Sequence, residues 1–319
     1  MTFMYEGILG QALPKKILET AVQTKKLSHA YIFYGQKGVG KTSLALEFAK
    51  SIVCRNHSAC GECDACRQFF STSDIKIIRC EKSISVAEIR EITSEIYLKP
   101  FQFEKKIYII TDADKMTVQA QNALLKVFEE PPSYALILLV TSNLSKILPT
   151  ILSRGVQIRF SPLSIEELTL GFQRAGKPVP DITLMECANG SLTEAFRLAE
   201  SPDYQEMRKT LIQNITLLFQ KRTTKDVIRL YESFLTYEEQ WDRLLDIFNS
   251  LVYDSMIKAP DMKKNPDTTS VTLSIQTAEK IYRELSYLKE KLSANGAYQI
   301  GVLSTLTAIR NHLNEERIS

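Results

Sequence analysis

The stretch AYIFYGQKGVGKTSLALEFAKSIV, residues 30–53, decides the fold. Its first part, AYIFYG, is a short apolar run typical of a buried strand, and its last part, KTSLALEFAKSIV, has the apolar spacing of a helix. Between them lies Gly35-x4-Gly40-Lys41-Thr42, the glycine-rich pattern that joins a strand to a helix at phosphate-binding sites. The flanking patterns therefore supply the structural context that this motif requires.

The chemistry of the loop follows from its residue types. Glycines let backbone N–H groups turn toward phosphate, the lysine reaches the outer phosphates, and the threonine hydroxyl holds magnesium. We expect ATP or ADP at this loop, with Mg²⁺ only when nucleotide is bound, and the binding residues are Gly35, Gly38, Gly40, Lys41 and Thr42. Two other interpretations stay open: a chance match, and a cradle that binds nucleotide or a stray anion without turning it over.

Alternating strand and helix patterns continue on both sides of the loop, over residues 8–160. Residues 74–80 have a strand-like pattern, and further apolar runs predict buried strands at residues 105–111, 134–142 and 156–163. Helical patterns between them cover residues 86–100, stopped at Pro100, and residues 122–132, ended by two prolines. Such alternation predicts an α/β fold, a mostly parallel sheet with helices on both faces.

After about Pro162 the strand patterns fade. A helix over residues 164–176 begins with a Ser164-x-x-Glu167 capping box, and two short helices over residues 182–201 are broken at Asn189-Gly190. The rest reads as nearly all helix, apart from a polar loop at residues 259–269. We expect three parts: an α/β domain at 1–162, a small helical domain at 163–202 and a larger helical domain at 203–319.

Composition sets the class of protein. The 319 residues are 44% hydrophobic and 24% charged, as in soluble globular proteins, and exceed the size of one ordinary core. No apolar run approaches the roughly 18 residues of a membrane span, and the first residues lack a secretory signal pattern. We therefore expect a cytoplasmic protein with no membrane contact. The net charge of +3 permits contact with nucleic acid but does not demand it.

Four of the six cysteines lie within residues 54–66, and they are Cys54, Cys60, Cys63 and Cys66. Four thiolates with two CxxC pairs suit tetrahedral zinc and leave no open position for catalysis, so we expect a structural zinc knuckle. His57 lies inside this segment and could replace one cysteine, although a solvated loop histidine is the simpler interpretation. A redox role is disfavoured, because no strand–CxxC–helix context surrounds these cysteines.

Taken together, LSHAYIFYGQKGVGKTSLA, the four-cysteine knuckle, QNALLKVFEEPP and LPTILSRG resemble the bacterial DNA polymerase III clamp-loader subunits. The resemblance covers residues 8 to about 200 with specific motifs, and beyond that only the helical character. It implies an AAA+ nucleotide-binding domain, a helical lid domain and an all-α collar domain that ties five subunits into a ring. The implied partners are gamma/tau and delta subunits in a hetero-pentamer, together with the sliding clamp and primer-template DNA.

Two types of subunit compete within this family: the ATP-hydrolysing gamma/tau type and the delta-prime type. In the hydrolysing type the strand before the NALLK helix ends in Asp-Glu, whereas Thr111 and Asp112 stand there in this chain. That type also carries an arginine after Gly-Ser-x, where this chain has Thr193. Both departures resemble delta-prime and imply weak or no hydrolysis. A gamma-type enzyme with Asp112 as the magnesium carboxylate stays the alternative.

The arginine of Ser153-Arg154-Gly155 is the remaining candidate. In the family, the arginine of a Ser-Arg-Cys motif reaches the ATP of a neighbouring subunit, so the resemblance implies that Arg154 is an arginine finger acting in trans. The cysteine of that motif is missing here. Glu129 and Glu130 could be read as catalytic carboxylates, but adjacent acids on a helix point in different directions, and we favour solvated side chains. A branch-migration helicase, a different AAA+ motor, is disfavoured by the knuckle and by QNALLKVFEEPP.

Overall fold

The computed structural model describes residues 4–79, 83–256, 272–294 and 296–316. The chain divides into two compact units, residues 1–174 with 190–193 and residues 175–189 with 194–319. The division into three domains with boundaries at residues 162 and 202 stays a prediction.

The first unit contains the sheet. In the described residues its strands are β1 Ala30–Tyr34, β2 Ile75–Ile78, β3 Lys106–Ile110, β4 Ala135–Thr141 and β5 Val156–Arg159. Its helices are α1 Ala12–Gln23, α2 Lys41–Val53, α3 Asp64–Arg67, α4 Val86–Glu95, α5 Val118–Glu129, α6 Pro149–Leu152 and α7 Ile165–Arg174. The helix predicted over residues 41–53 is therefore confirmed at both ends.

All strand pairs are parallel, and the strand order is β2-β3-β4-β1-β5. Parallel neighbours need crossover connections, which the helices supply, and this is why strand and helix patterns alternate along the chain. The α/β fold class predicted from sequence is confirmed. Because the strands run in one direction, their carboxyl ends share one edge, and Tyr34 at the end of β1 pairs with Thr141 at the end of β4.

The sheet is covered on both faces. Side chains alternate along each strand, so Phe33 packs in a cluster with Phe48 of α2, whereas Ile32 packs on the other face with Leu124 of α5. Helix α1 also contributes to the first cluster and α4 to the second. Burial on both faces explains the continuous apolar runs of β1, β3 and β4.

Strand β5 corrects one expectation, since we expected a buried strand over residues 156–163. It lies at the edge of the sheet beside β1, and of its four residues only Ile158 is buried. Ile158 is the one residue of this strand in the apolar clusters that cover the two faces of the sheet, so the other three side chains reach solvent.

Helix α4 ends at Glu95, five residues before the proline that was expected to stop it. At this end the Lys106 ammonium donates to the carbonyls of Glu95 and Leu98 at 2.8 and 3.4 Å. The turn that follows is held by the buried carboxylate of Asp74. It accepts hydrogen bonds from the backbone N–H groups of Phe101, Gln102 and Phe103 at 2.8, 2.6 and 2.9 Å. These bonds satisfy backbone donors outside a helix and redirect the chain into β3.

The second unit is helical. Its helices are α8 Ile182–Cys187, α9 Leu192–Glu200, whose first two residues belong to the first unit, α10 Pro202–Lys221, α11 Thr224–Thr236, α12 Trp241–Met256, α13 Ile275–Ser293 and α14 Tyr298–Glu315. The break at Asn189-Gly190 is confirmed, and so is the Ser164–Glu167 capping box in the first unit. The polar loop at 259–269 lies outside the described residues. Within the described part, no helix has the length and apolar character to span a membrane.

Candidate functional site

The glycine loop connects the end of β1 to the start of α2. Gly38 and Gly40 have φ values of 77° and 95°, in the left-handed region that side chains with a Cβ avoid. Gly40 is the residue before the first turn of α2, which begins at Lys41. The sequence needs glycine at these positions to turn the backbone directly from a strand into a helix, and the N–H groups of the first helical turn have no partner within the helix.

A pocket of about 340 Å³ opens at this loop. Its lining combines the loop with five other segments of the first unit: Gly7, Ile8, Leu9, Lys37, Gly38, Val39, Gly40, Lys41, Thr42, Ser43, Asp112, Val140, Ser142, Leu163, Leu192 and Thr193. Of the five residues proposed to bind nucleotide, four line it, and Gly35 lies at the start of the loop. The patterns of the sequence did not predict that residues 7–9 take part, because they carry no recognisable motif.

Lys41 is buried at the base of the pocket, with 6% of its surface exposed. Its Nζ donates to the carbonyl oxygens of Gly35 and Gln36 at 2.6 and 2.5 Å. Burial lowers the pKa of Lys41 to about 8, and the nearby carboxylates of Asp114 and Asp112 oppose this shift only partly. The ammonium group is therefore held inside the loop by backbone acceptors.

The strand end beside the loop carries no carboxylate at its first position. Thr111, which is 6% exposed, donates its hydroxyl to the carbonyl of Ile78 on β2 at 3.1 Å. Its backbone N–H bonds the same carbonyl at 3.0 Å. Thr111 is absent from the pocket lining, because its side chain is turned sideways into the sheet.

The next two acids lie on different sides of this turn. Asp112 lines the pocket from a left-handed conformation with φ of 50°, and its carboxylate pairs with the ammonium of Lys115 at 3.2 Å. Asp114 accepts hydrogen bonds from the Thr141 hydroxyl at 2.9 Å and the Ser142 N–H at 3.0 Å. Burial opposes ionisation, but these bonds lower the pKa of Asp114 below its usual value. Asp114 thus supports the end of β4 and does not line the pocket.

The segment at residues 190–193 completes the pocket. The N–H of Leu192 donates to the carbonyl of Gly38 at 3.0 Å, and a Cβ added to Gly38 would lie 2.1 Å from the Ser191 hydroxyl. Thr193 lines the pocket and brings no charge to it. The sequence identified this segment by Gly190-Ser191, but its direct bond to the glycine loop was not predictable.

Arg154 lies just beyond α6, outside the pocket lining, and 37% of its side chain is exposed. Its Nη1 donates to the Thr150 carbonyl at 2.9 Å and to the Ser153 hydroxyl at 3.3 Å. Its Nη2 lies 3.1 Å from Oε1 of Glu129. The guanidinium is therefore on the protein surface, and Arg154 is not among the residues that line the pocket at the glycine loop. One of the two acids interpreted as simply solvated is its partner.

The four cysteines of the knuckle come together between α2 and α3. Their sulfur atoms all lie within 4.8 Å of one another, and the Cys54–Cys60, Cys54–Cys63 and Cys60–Cys66 separations are 3.6, 3.9 and 4.0 Å. Zn–S bonds of 2.3 Å in a tetrahedron place the sulfur atoms about 3.8 Å apart. The donor set therefore fits zinc.

Two further features of the knuckle bear on metal binding. Although burial opposes it, backbone N–H groups of Cys60, Ser58 and Asn56 lower the pKa of Cys54 to about 6, which favours the thiolate that a metal needs. His57 does not belong to the sulfur cluster, and its ring Nδ1 lies 3.4 Å from the Ser51 carbonyl. Four cysteines without a histidine are therefore the donor set among the described residues.

Comparisons with known proteins agree with these motifs. The sequence profile of the family described as "DNA polymerase III, delta subunit" matches residues 10–164. The chain is 30% identical over 231 residues to the DNA polymerase III subunit delta' of Bacillus subtilis, a match that covers 71% of this chain and 68% of that protein. The chain belongs to the DNA polymerase III clamp-loader family.

Relatives of the gamma/tau type match as well. The chain is 30% identical over 259 residues to the subunit gamma/tau of Mycoplasma pneumoniae, covering 77% of this chain and 38% of that protein. It is 37% identical over 169 residues to the subunit tau of Bacillus subtilis, covering 51% of this chain and 30% of that protein. The chain therefore spans less than two fifths of the length of these gamma/tau relatives.

Proposed function

We propose that this chain is a clamp-loader subunit of the delta-prime type, which does not hydrolyse ATP itself and supplies Arg154 to the ATP site of a neighbouring subunit. It acts as a rigid part of a hetero-pentamer with gamma/tau-type and delta subunits, which loads the sliding clamp onto primed DNA in the cytoplasm. The observation that carries the proposal is the hydrogen bond from the Thr111 hydroxyl to the Ile78 carbonyl.

The loss of hydrolysis is supported by three positions around the pocket. Thr111 offers a hydroxyl that is already bonded within the sheet. Asp114 is committed to Thr141 and Ser142, and Thr193 brings no positive charge to the pocket. Phosphoryl transfer requires a metal ion, a water molecule and a positively charged side chain placed together. All three features therefore lower the rate of ATP hydrolysis at this pocket.

Nucleotide binding is a separate property, which the glycine loop retains. Gly38, Gly40, Lys41 and Thr42 line a pocket large enough for the phosphates of ATP or ADP, and the helix dipole of α2 favours an anion there. Any Mg²⁺ enters only with the nucleotide, because a single pocket-lining carboxylate, Asp112, is available among the described residues.

The role of Arg154 is supported by its position. Its guanidinium is on the surface and away from its own pocket, as a group must be that acts on another subunit. An arginine supplied in trans stabilises the charge that develops on the transferred phosphoryl group, and is worth about 10³–10⁵ in rate in GTPases. A chain that has lost ATP hydrolysis at its own pocket can keep this function, since the pocket and the surface around Arg154 use different residues.

We also propose that the cysteine knuckle binds one structural zinc ion through Cys54, Cys60, Cys63 and Cys66. All four positions of the tetrahedron are then filled by protein, so the metal takes no part in catalysis. It fixes residues 54–66, which include left-handed backbone at His57, Ala59 and Gly61, against the end of α2. The proposed domains are 1–162 for nucleotide, 163–202 as a lid and 203–319 as a collar.

The proposal is tested by reconstituting the full chain with gamma/tau-type and delta subunits and measuring complex mass and ATP hydrolysis. Arg154→Ala is expected to leave the mass unchanged and to lower hydrolysis at least tenfold. The matched control is Arg159→Ala, because Arg159 is an exposed arginine on β5 with no side-chain ion pair among the described residues. Equal hydrolysis in both variants would exclude the finger.

A second candidate function is a hydrolysing gamma-type subunit. One observation favours it: Asp112 lines the pocket and could hold Mg²⁺ in place of the missing carboxylate. In that case Asp112→Asn abolishes hydrolysis by the chain alone. We favour the first function, because Asp112 is paired with Lys115 and Thr111 supplies no second carboxylate beside it.

A further inference from the structure

Glu129 is the last residue of α5, and its carboxylate lies 3.1 Å from the guanidinium of Arg154. The two residues are on different segments of the same compact unit. Glu130 follows directly, but its side chain is exposed and has no partner among the described residues. Since Pro131 and Pro132 end the helix at this point, the backbone of Glu129 is fixed where it can face Arg154.

The guanidinium is anchored at three points. Nη1 donates to the Thr150 carbonyl and the Ser153 hydroxyl, and Nη2 contacts Glu129. The first two acceptors belong to the short helix and turn that carry Arg154 itself, so Glu129 is the one anchor from a separate helix. Within the described part of the chain, Nε has no hydrogen-bond partner, and together with the second N–H of Nη2 it leaves one edge of the planar fork available for an oxyanion.

An exposed arginine samples many rotamers, and it loses this conformational entropy when its guanidinium is fixed on a phosphate. A partner that already holds the guanidinium reduces this loss at the moment of reaction. The contact with Glu129 is half-solvated, so it directs the guanidinium without withdrawing it from the surface.

We propose that Glu129 is a positioning residue, which holds Arg154 in the orientation that reaches the phosphoryl group in the neighbouring subunit. This inference rests on the proposed function of Arg154. It assigns a role to the first glutamate of the FEEPP segment and none to the second, although the two are adjacent and chemically identical.

The test uses the reconstituted complex with ATP as substrate and the full chain as Glu129→Ala, Glu129→Gln or Glu130→Ala. Solvated ion pairs are weak, so Glu129→Ala is expected to lower kcat about two- to fivefold with KM for ATP unchanged. Glu129→Gln is expected to lie between Glu129→Ala and the unmodified chain, because its amide oxygen still accepts a hydrogen bond without the charge. Glu130→Ala is expected to leave kcat unchanged.

A double-mutant cycle separates positioning from a general structural effect. If Glu129 acts through Arg154, Glu129→Ala lowers kcat in the unmodified chain but has no further effect when combined with Arg154→Ala. Equal kcat for Glu129→Ala and Glu130→Ala, a rise in kcat, or the same loss in both backgrounds would overturn the inference. A complex in which Arg154→Ala alone has no effect would instead overturn the proposed function.

Discussion

The hydroxyl of Thr111 donates to the carbonyl of Ile78 at 3.1 Å, and this bond ties the end of β3 to its neighbour β2. A carboxylate at the same position could not make this bond, because both groups would be acceptors. Thr111 therefore takes part in the hydrogen bonding of the sheet. We expect substitutions of Thr111 to lower the free energy of unfolding, whatever their effect on ATP hydrolysis.

Thr111→Val, which keeps the shape and removes the donor, is expected to lower the free energy of unfolding by about 1 kcal/mol. Thr111→Asp is expected to cost more, about 2–3 kcal/mol, since it places an acid in a site that is 6% exposed opposite a carbonyl. Denaturant unfolding measures both. A Thr111→Asp chain as stable as the unmodified one would show that the strand end accepts a carboxylate without rearrangement.

The knuckle predicts a stoichiometric metal. Elemental analysis of the full chain is expected to find about one zinc per chain, and Cys63→Ala is expected to lose most of it. Cys187→Ala is the control, because Cys187 lies outside the sulfur cluster.

Removal of zinc is expected to raise hydrogen exchange in residues 54–66 far more than in β1 or β4, since the four ligands are local in sequence. A chain that is fully folded and metal-free, with an unchanged exchange pattern, would contradict the zinc assignment.

The glycine loop predicts a steric effect at Gly38. A Cβ there would meet the Ser191 hydroxyl at 2.1 Å, whereas a Cβ at Gly61, where φ is 74° against 77°, would meet nothing within 4 Å. Both alanine variants carry the backbone strain of a positive φ, so their difference isolates the contact with residues 190–193. With zinc bound, Gly38→Ala is expected to be less stable than Gly61→Ala by about 1–2 kcal/mol. Equal stabilities would mean that the segment moves aside freely.

Lys41 predicts a pH dependence of stability. The pKa of Lys41 is about 8 in the folded chain, against an ordinary value of 10.5 that applies to the unfolded chain. Between pH 8 and 10.5 the lysine is therefore protonated in the unfolded chain and largely deprotonated in the folded chain. The free energy of unfolding attributable to Lys41 therefore rises as the pH increases from about 8 to 10.5. The measurement is the difference between the unmodified chain and Lys41→Met, in which the titration of all other groups cancels. A difference that stays flat or falls across this window would contradict a buried, charged lysine.

The glycine loop and the cysteine cluster were predictable from sequence, because each depends on residues close together in the chain. The left-handed φ at Gly38 and Gly40 requires glycine at a fixed spacing, and the four clustered sulfur atoms come from cysteines within thirteen residues of the sequence, including two CxxC pairs. The helix from Lys41 to Val53 follows from one continuous pattern of apolar residues.

The remaining features depend on contacts between distant residues. At the early end of α4 the Glu95 carbonyl accepts from Lys106, and the turn after it is held by Asp74, whose N–H partners lie 27 to 29 positions away; proximity in sequence reveals neither contact. The edge position of β5 depends on strand order, which periodicity does not encode. The pairing of Glu129 with Arg154 joins two exposed charges on separate segments, a contact that follows only from the folded arrangement.

We propose above all that this chain binds nucleotide but does not cleave it. Steady-state ATP hydrolysis by the isolated 319-residue chain, measured beside ATP and ADP binding, tests this most directly. We expect the chain to bind nucleotide and Lys41→Ala to weaken that binding. The turnover number is expected to be far below roughly 1 s⁻¹, the lower end of the usual range for enzymes, and Asp112→Asn is expected to leave it unchanged. Turnover of about 1 s⁻¹ or more, abolished by Asp112→Asn, would contradict the claim and identify a hydrolysing subunit.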